Sequence, residues 1–422
     1  MQIIRTSSIG SFVLIFALIS QFIPAYFSYQ YDFFIVLMLV FVVLYKVNSV
    51  NKSRDLILIL LVYAFLVFCI IVFRELNFTV YGSLVGKEFL SDLRPLLLLL
   101  FLALFLESFS IKVTRVRFYY LSLILMLVLS IPNILGLIDF EIYKKIHFIL
   151  YSDVYYVPSH LETLGQYMTV SSYAALNGRL SSVFLQPATA GIFFTTMAYF
   201  FIIQARFLKK GKGLMYFLVL LSVFNGYLSG STVIMLFPVF LLFSIFNFSF
   251  RAIILIFLIS LIFIFTIYVI FYDYFLIIDG PFLGKRFDPN GNIVQAWSAI
   301  NIDIVEIFIG INKLELGVSG KGFGDSGYLI KFVNGGLLYV LVYYSFLIIL
   351  MRRIFIKYVK SIECFKVRML SRYFNSLLLL YLMAEIGFTA FSQPQASMII
   401  TIYLIYLYYF YISNTMLNTT QS

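Results

Sequence analysis

The sequence predicts an all-α polytopic membrane protein, and three observations carry that expectation. Hydrophobic residues make up 62% of the 422, and mean hydropathy is +1.01, more than a soluble core requires. Twelve apolar stretches approach or reach the roughly 20 residues that a helix needs to cross a bilayer. Polar chain is concentrated in two long excursions, residues 139–182 and 273–327.

Taken in order, the spans fall at about 9–27, 32–47, 56–73, 95–109, 118–138, 183–204, 214–229, 233–247, 252–272, 328–351, 375–391 and 396–412. The whole chain, 1–422, reads as one integral-membrane domain. Several spans are short, so tilt or local thinning has to help them cross. The seventh and eighth are joined by a tight turn, Ser229-Gly230-Ser231-Thr232. The first is not expected to be a cleaved leader, because its apolar run is long and no small-x-small pattern follows Pro24.

Lys and Arg orient the spans. One set of loops carries 19 of the 30 basic residues, among them Lys52, Arg117, Lys209, Lys210, Arg251 and Arg372, with only Asp55, Glu107 and Glu363 as acids. The opposite set carries 11 basic residues against 15 acids, and Glu385 is left within a span. The net is +16 on one side, −4 on the other and −1 between them. Both termini are therefore expected in the cytoplasm and both long loops outside, as in a bacterial inner-membrane protein. The overall charge of +11 reports topology and attraction to anionic lipid. It is no sign of nucleic-acid binding.

Cys69 lies in a span and Cys364 in an inner loop, which supports neither a disulfide nor a metal site. The chain lacks a Walker motif, a GxGxxG before a helix, HExxH and Gly-x-Ser-x-Gly. Nucleotide-driven pumping and zinc or serine hydrolysis are not supported, and no cofactor or metal is expected.

Chemistry is expected where polar chain meets the outer helix ends. Arg179 stands at the mouth of the sixth span, in Asn177-Gly178-Arg179-Leu180-Ser181-Ser182-Val183-Phe184-Leu185-Gln186-Pro187. It reads either as an anion clamp or as an interfacial arginine reaching to headgroups. Gln186-Pro187 is placed one or two turns inside that span, where proline frees a carbonyl and Gln186 offers a donor and an acceptor.

The second long loop contains Lys285 and Arg286, the single tryptophan Trp297, and a Gly-rich run through Gly320, Gly322 and Gly324 to Asp325. Arg286 has a fork suited to phosphate oxygens, and Lys285 adds a point charge. The glycines let backbone amides approach an anion or sugar closely. Asp325 is either a general base with a raised pKa or a helix cap. Trp297 either stacks on a sugar or belongs to an aromatic belt.

Tyr328 follows, and Arg94 offers another phosphate contact. Tyr151, Tyr155, Tyr156 and Glu162 are weaker candidates, and His147 and His160 read either as proton acceptors or, as is commoner for a lone loop histidine, as solvated. Glu385 is costly within a span and needs a partner or a cavity.

The Arg179…Ser182-x-Phe184-x-Gln186-Pro187-x-x-x-Gly191 pattern resembles the Arg…Phe-x-Asn-Pro-Asn signature of the O-antigen polymerase and ligase superfamily. Arg286, Trp297, Gly322/Gly324 and Asp325, followed by Gly335-Gly336-Leu337, resemble that superfamily's second outer loop. The motifs cover about residues 179–340, and the topology covers the whole chain. There are two departures. Thr232 stands where the family often has the Arg of Ser-x-Ser-Arg, and Asp325 stands where ligases usually carry His.

The resemblance implies a metal-independent, GT-C-like glycosyltransferase acting on undecaprenyl-diphosphate-linked glycans. Arg179, Arg286 and Asp325 would be catalytic; Lys285, Gln186, Tyr328, Trp297 and Arg94 would bind substrate. A chain-length regulator is a possible partner. A ligase acting on lipid A-core and a lipid-linked oligosaccharide flippase are the alternatives. A flippase would typically show two similar halves, and no internal repeat is visible here.

Overall fold

A computed structural model describes residues 50–77, 92, 96–97, 111–151, 174–175, 178–184, 186–207, 211–245, 304–310, 327–359, 365–385, 390–391, 396–397 and 399–403. Among these residues all regular structure is helical and there is no strand. The helices are α1 (Val50–Asn77), α2 (Ile111–Ile138), α3 (Phe140–Tyr151), α4 (Pro187–Phe207), α5 (Lys212–Leu228), α6 (Thr232–Ile245), α7 (Ile304–Ile309), α8 (Gly327–Val359) and α9 (Phe365–Ala384).

Among the described residues two segments are long and apolar enough to cross a membrane, Phe118–Ile138 of α2 and Pro187–Arg206 of α4. Shorter apolar runs lie in α1, α5, α6 and α8. The expected first, second and ninth spans lie outside the described residues, as does the fourth apart from residues 96–97.

α4 is the more buried of these two segments. Within its apolar window 89% of residues are buried, against 39% for α2 at the periphery. α5, α6, α9 and α2 pack around it, while α1, α7 and α8 pack on one another as a second group. The two groups are joined where the start of α8 meets the end of α9: the Gly327 amide donates to the Glu385 carbonyl at 2.9 Å. Small residues allow close approach to α4. A β-carbon at Gly191 would collide with Ser231, so the turn between α5 and α6 seats directly on α4.

The described exterior is more apolar than water selects, over a core that is itself mostly hydrophobic. The exposed faces carry Leu61, Phe65 and Phe68 on α1, Ile124, Leu127 and Ile131 on α2, and Phe217, Leu220 and Phe224 on α5. The interior holds Arg74, Asp92, Asn133, Asn225, Lys331 and Glu385. These exposed apolar faces among the described residues fit the candidate spans, and the buried polar groups between them need partners.

Three helices depart from the expected spans, and α4 departs most tellingly. It starts at Pro187, so Gln186-Pro187 opens the helix and does not lie turns within it. Proline is favoured at a first helical position, where its missing amide would have had no partner. The Gln186 carbonyl accepts from Ala190 N at 3.2 Å, closing the first turn. α9 begins at Phe365, well before the expected residue 375, because a helix can run past the hydrocarbon as readily as stop at it.

α8 is broken. Gly335 and Gly336 leave helical geometry, with φ +67° at Gly336, where a β-carbon would collide with the Phe308 backbone of α7. Only glycine combines that conformation with that approach.

Candidate functional site

Two buried polar clusters stand out, and the first surrounds the chain leading into α4. Gly178, at φ +73°, turns the chain, and Arg179 follows. The Arg179 and Gly178 amides donate to the carbonyls of Ala174 and Ala175 at 3.0 and 2.9 Å, and Leu180 N donates to Leu228 O at 2.8 Å. The Arg179 side chain is half-buried and lies over the turn between α5 and α6. Its Nε donates to Ser229 O at 3.4 Å, and a β-carbon at Gly230 would sit 2.9 Å from its Cγ. Gly230 itself has φ +59°.

Ser181 and Ser182 then enter a fully polar seat. Ser182 is at φ +55°, unusual for a residue with a side chain. Its amide donates to Asn133 Oδ1 at 2.7 Å and its hydroxyl to Leu129 O at 2.5 Å. Leu129 lies one turn before Pro132, whose missing amide weakens the α2 ladder there. Asn133 Nδ2 donates to Asn225 Oδ1 at 2.9 Å, and Asn225 Nδ2 donates to Ser130 Oγ at 3.0 Å.

α3 completes this seat. Asp139 caps it, accepting from Glu141 N at 2.8 Å. Tyr143 OH accepts from Ser181 N at 2.7 Å and lies 3.1 Å from Ser181 Oγ. His147 Nε2 donates to the Ser182 carbonyl, which fixes that nitrogen as the protonated one. Burial pushes the His147 imidazole down to about 4, against the opposing effect of that hydrogen bond. Burial likewise pushes the Tyr143 phenol up to about 12, against its bonds to Ser181.

The second cluster lies at the break in α8. Lys331 Nζ sits 2.9 Å from Asp92 Oδ1, and Tyr339 OH donates to Asp92 Oδ2 at 2.7 Å. One carboxylate thus grips both halves of the broken helix. Lys331 also lies 4.2 Å from the centroid of the Tyr343 ring. Arg74, at the end of α1, donates through Nη1 to the Asn334 carbonyl, which the break denies its helical partner. Nearby, Glu385 accepts from Tyr344 OH and Phe391 N, each at 2.6 Å. Its carboxylate lies where a β-carbon of Gly327 would stand. Glu385, fully buried just past the end of α9, therefore has the partners that a buried carboxylate demands.

Of the residues expected at a site, Arg179 and Gln186 share the approach to α4. Tyr328 belongs to the other cluster, where its hydroxyl donates to Leu382 O at 2.9 Å and its ring packs on Tyr344 with centroids 4.5 Å apart. Arg94, Lys285, Arg286, Trp297 and Asp325 lie outside the described residues, as do Tyr155, Tyr156, His160 and Glu162. His147, expected to be solvated, is fully buried, because α3 folds its segment against α2. Asn133, Asn225, Asp92 and Lys331 were not singled out in the sequence; a polar residue within or beside an apolar run was the available signal.

Among the described residues no three His, Cys, Asp or Glu side chains converge as a metal site. No protein-family model, curated protein or solved structure matches the chain significantly.

Proposed function

We propose that this protein is a polytopic inner-membrane polymerase of about 12 spans. It joins polyprenyl-diphosphate-linked oligosaccharide repeats into O-antigen or a related surface polysaccharide at the outer face of the membrane. The observation that carries the reading is the position of Arg179. It lies over the Ser229-Gly230-Ser231 turn, beside the place where the resembled superfamily often has an arginine and this chain has Thr232.

In this reaction an acceptor sugar hydroxyl attacks the anomeric carbon of the donor glycan. The new carbon–oxygen bond forms as the bond to the polyprenyl diphosphate breaks. The hydroxyl proton passes to the Asp325 carboxylate, and the diphosphate leaves with the bonding pair. Arg179 and Arg286 stabilise the charge that develops on it. Lys285, Gln186, Tyr328, Trp297 and Arg94 are assigned to substrate binding on the resemblance. The leaving group is already activated, so the step needs no nucleotide.

One feature favours a transporter instead: a broken helix beside buried charges is a device that flippases share. Purified protein with undecaprenyl-diphosphate-linked repeats separates the readings. A polymerase yields a ladder of lengths, lost in Arg286→Ala and partly restored by Lys. A ligase yields no ladder without a lipid A-core acceptor, and a flippase leaves the repeats unjoined. Absence of a ladder from the folded wild-type protein overturns the proposal.

A further inference from the structure

We infer that α3 is the positioning element of the Arg179 site, with Tyr143 and His147 as the positioning residues. The inference rests on the reading that Arg179 binds the diphosphate of a lipid-linked glycan. Neither α3 residue touches substrate; each acts through the turn that carries Arg179.

Ser181 and Ser182 together present six backbone and hydroxyl groups, and each has a partner. Ser181 O accepts from Phe184 N at 2.9 Å, within the turn itself. The Ser182 amide and hydroxyl go to Asn133 and Leu129 of α2. The remaining three go to α3: Ser181 N and Oγ to Tyr143, and Ser182 O to His147. Half of the polar anchoring of the turn therefore comes from one twelve-residue helix.

The turn needs such anchoring. Positive φ at Ser182 persists only where surrounding bonds over-determine it. Its position then fixes Arg179, three residues earlier, against Ser229 and Gly230.

The seat of α3 is built for this contact. A β-carbon at Gly136 would lie 2.9 Å from the Tyr143 ring and 3.0 Å from Leu180, so glycine makes the gap that Tyr143 fills. Tyr143 packs with Ala175 and Leu180 in a small apolar cluster separate from the main core. The His147 and Tyr143 rings lie 4.5 Å apart, which sets the imidazole toward Ser182. The opposite side of α3 exposes Ile142, Phe148 and Ile149. A change there leaves the turn untouched and serves as a control.

The test measures binding of undecaprenyl diphosphate to the full-length protein in detergent, alongside polymerisation kinetics. Arg179→Ala is expected to weaken binding by tenfold or more, since a charge-assisted contact is lost. Tyr143→Phe is expected to weaken it by about three- to tenfold, the range of one or two lost hydrogen bonds. In the Arg179→Ala background, Tyr143→Phe should cost nothing further. His147→Gln, which keeps a donor for Ser182 O, should bind close to wild type, whereas His147→Phe should not. Phe148→Ala should change nothing.

Equal losses from Tyr143→Phe in both backgrounds overturn the inference, because α3 would then act independently of Arg179. So does wild-type affinity in folded Tyr143→Phe. If that variant leaves the membrane fraction, Ser181→Ala deletes one of the same bonds from the turn side and is judged by the same criterion. Wild-type affinity in Arg179→Ala overturns the diphosphate assignment, and this inference with it.

Discussion

Around the Arg179 turn the buried polar groups are Ser130, Asn133, Tyr143, His147, Ser181, Ser182 and Asn225, all neutral hydrogen bonders. Around the α8 break the ionisable Arg74, Asp92, Lys331 and Glu385 are joined by neutral Asn334 and the phenols of Tyr339 and Tyr344. Both regions lie where a helical segment starts irregularly, and both meet the same demand, that no buried polar group be left alone. They meet it at different risk. A neutral network loses about 1–3 kcal/mol when one member is removed. Removing one charge of a buried pair leaves its partner desolvated and uncompensated. The first arrangement suits a rigid platform for a half-exposed arginine; the second locks two half-helices in one mutual angle.

The contrast is sharpest at Lys331. Lys331→Met should destabilise the protein by about 3–5 kcal/mol, because Asp92 stays buried without its cation. Adding Asp92→Asn should recover much of that loss. Thermal unfolding in detergent measures both. A double variant no better than the single would place the α8 break in the same class as the neutral turn.

The pH dependence of the turn comes next. Free imidazole takes a proton near its ordinary 6.5, whereas folded His147 resists protonation down to about 4. Between those values the unfolded chain binds more protons, so stability falls as pH drops through the window and is level above it. The expected loss is about 3 kcal/mol. His147→Gln should flatten that slope in unfolding measured from pH 7 to 4. An unchanged slope would show that His147 is not buried as a neutral ring.

Within the neutral network, Asn133→Leu should cost about 1–3 kcal/mol, since it removes the partner of the Asn225 Oδ1 and of the Ser182 amide. Combining it with Asn225→Leu should fall short of the sum by at least about 0.5 kcal/mol, the mark of two residues sharing a bond. Strict additivity would break the network reading.

The smallest effect is expected at Gly230, where Ala has to adopt φ +59° against the Arg179 stem. The stability cost should be about 1 kcal/mol. The more telling readout is undecaprenyl diphosphate affinity, which should drop as Arg179 is displaced.

Helices and their apolar character were legible in the sequence because hydrocarbon leaves so few choices. α1, α2, α4, α5, α6 and α8 overlap expected spans, and among the described residues two of them, α2 and α4, hold segments long and apolar enough to cross a membrane. The need of Glu385 for a partner was equally legible, since a carboxylate amid an apolar run is costly to bury. Its partners were not, because Tyr344 is 41 residues away and the pairing follows from how α8 meets α9. The Asp92–Lys331 pair spans 239 residues, and no local pattern links them. His147 shows the opposite failure. A histidine in a polar stretch reads as solvated, and only the docking of α3 against Gly136 and Ser182 buries it.

The sequence by itself determined the helical class, the apolar character of the segments, and Arg179 as a cation at the head of α4. Those properties follow from local composition and from the period of a helix, and each residue carries them alone. The tertiary structure decided which buried groups meet. It set Tyr143 and His147 on the Arg179 turn, Asp92 across the two halves of α8, and Arg74 on the carbonyl the break exposes. A buried polar group can be satisfied by any donor or acceptor that packing brings near, so its partner is a property of the assembled helices.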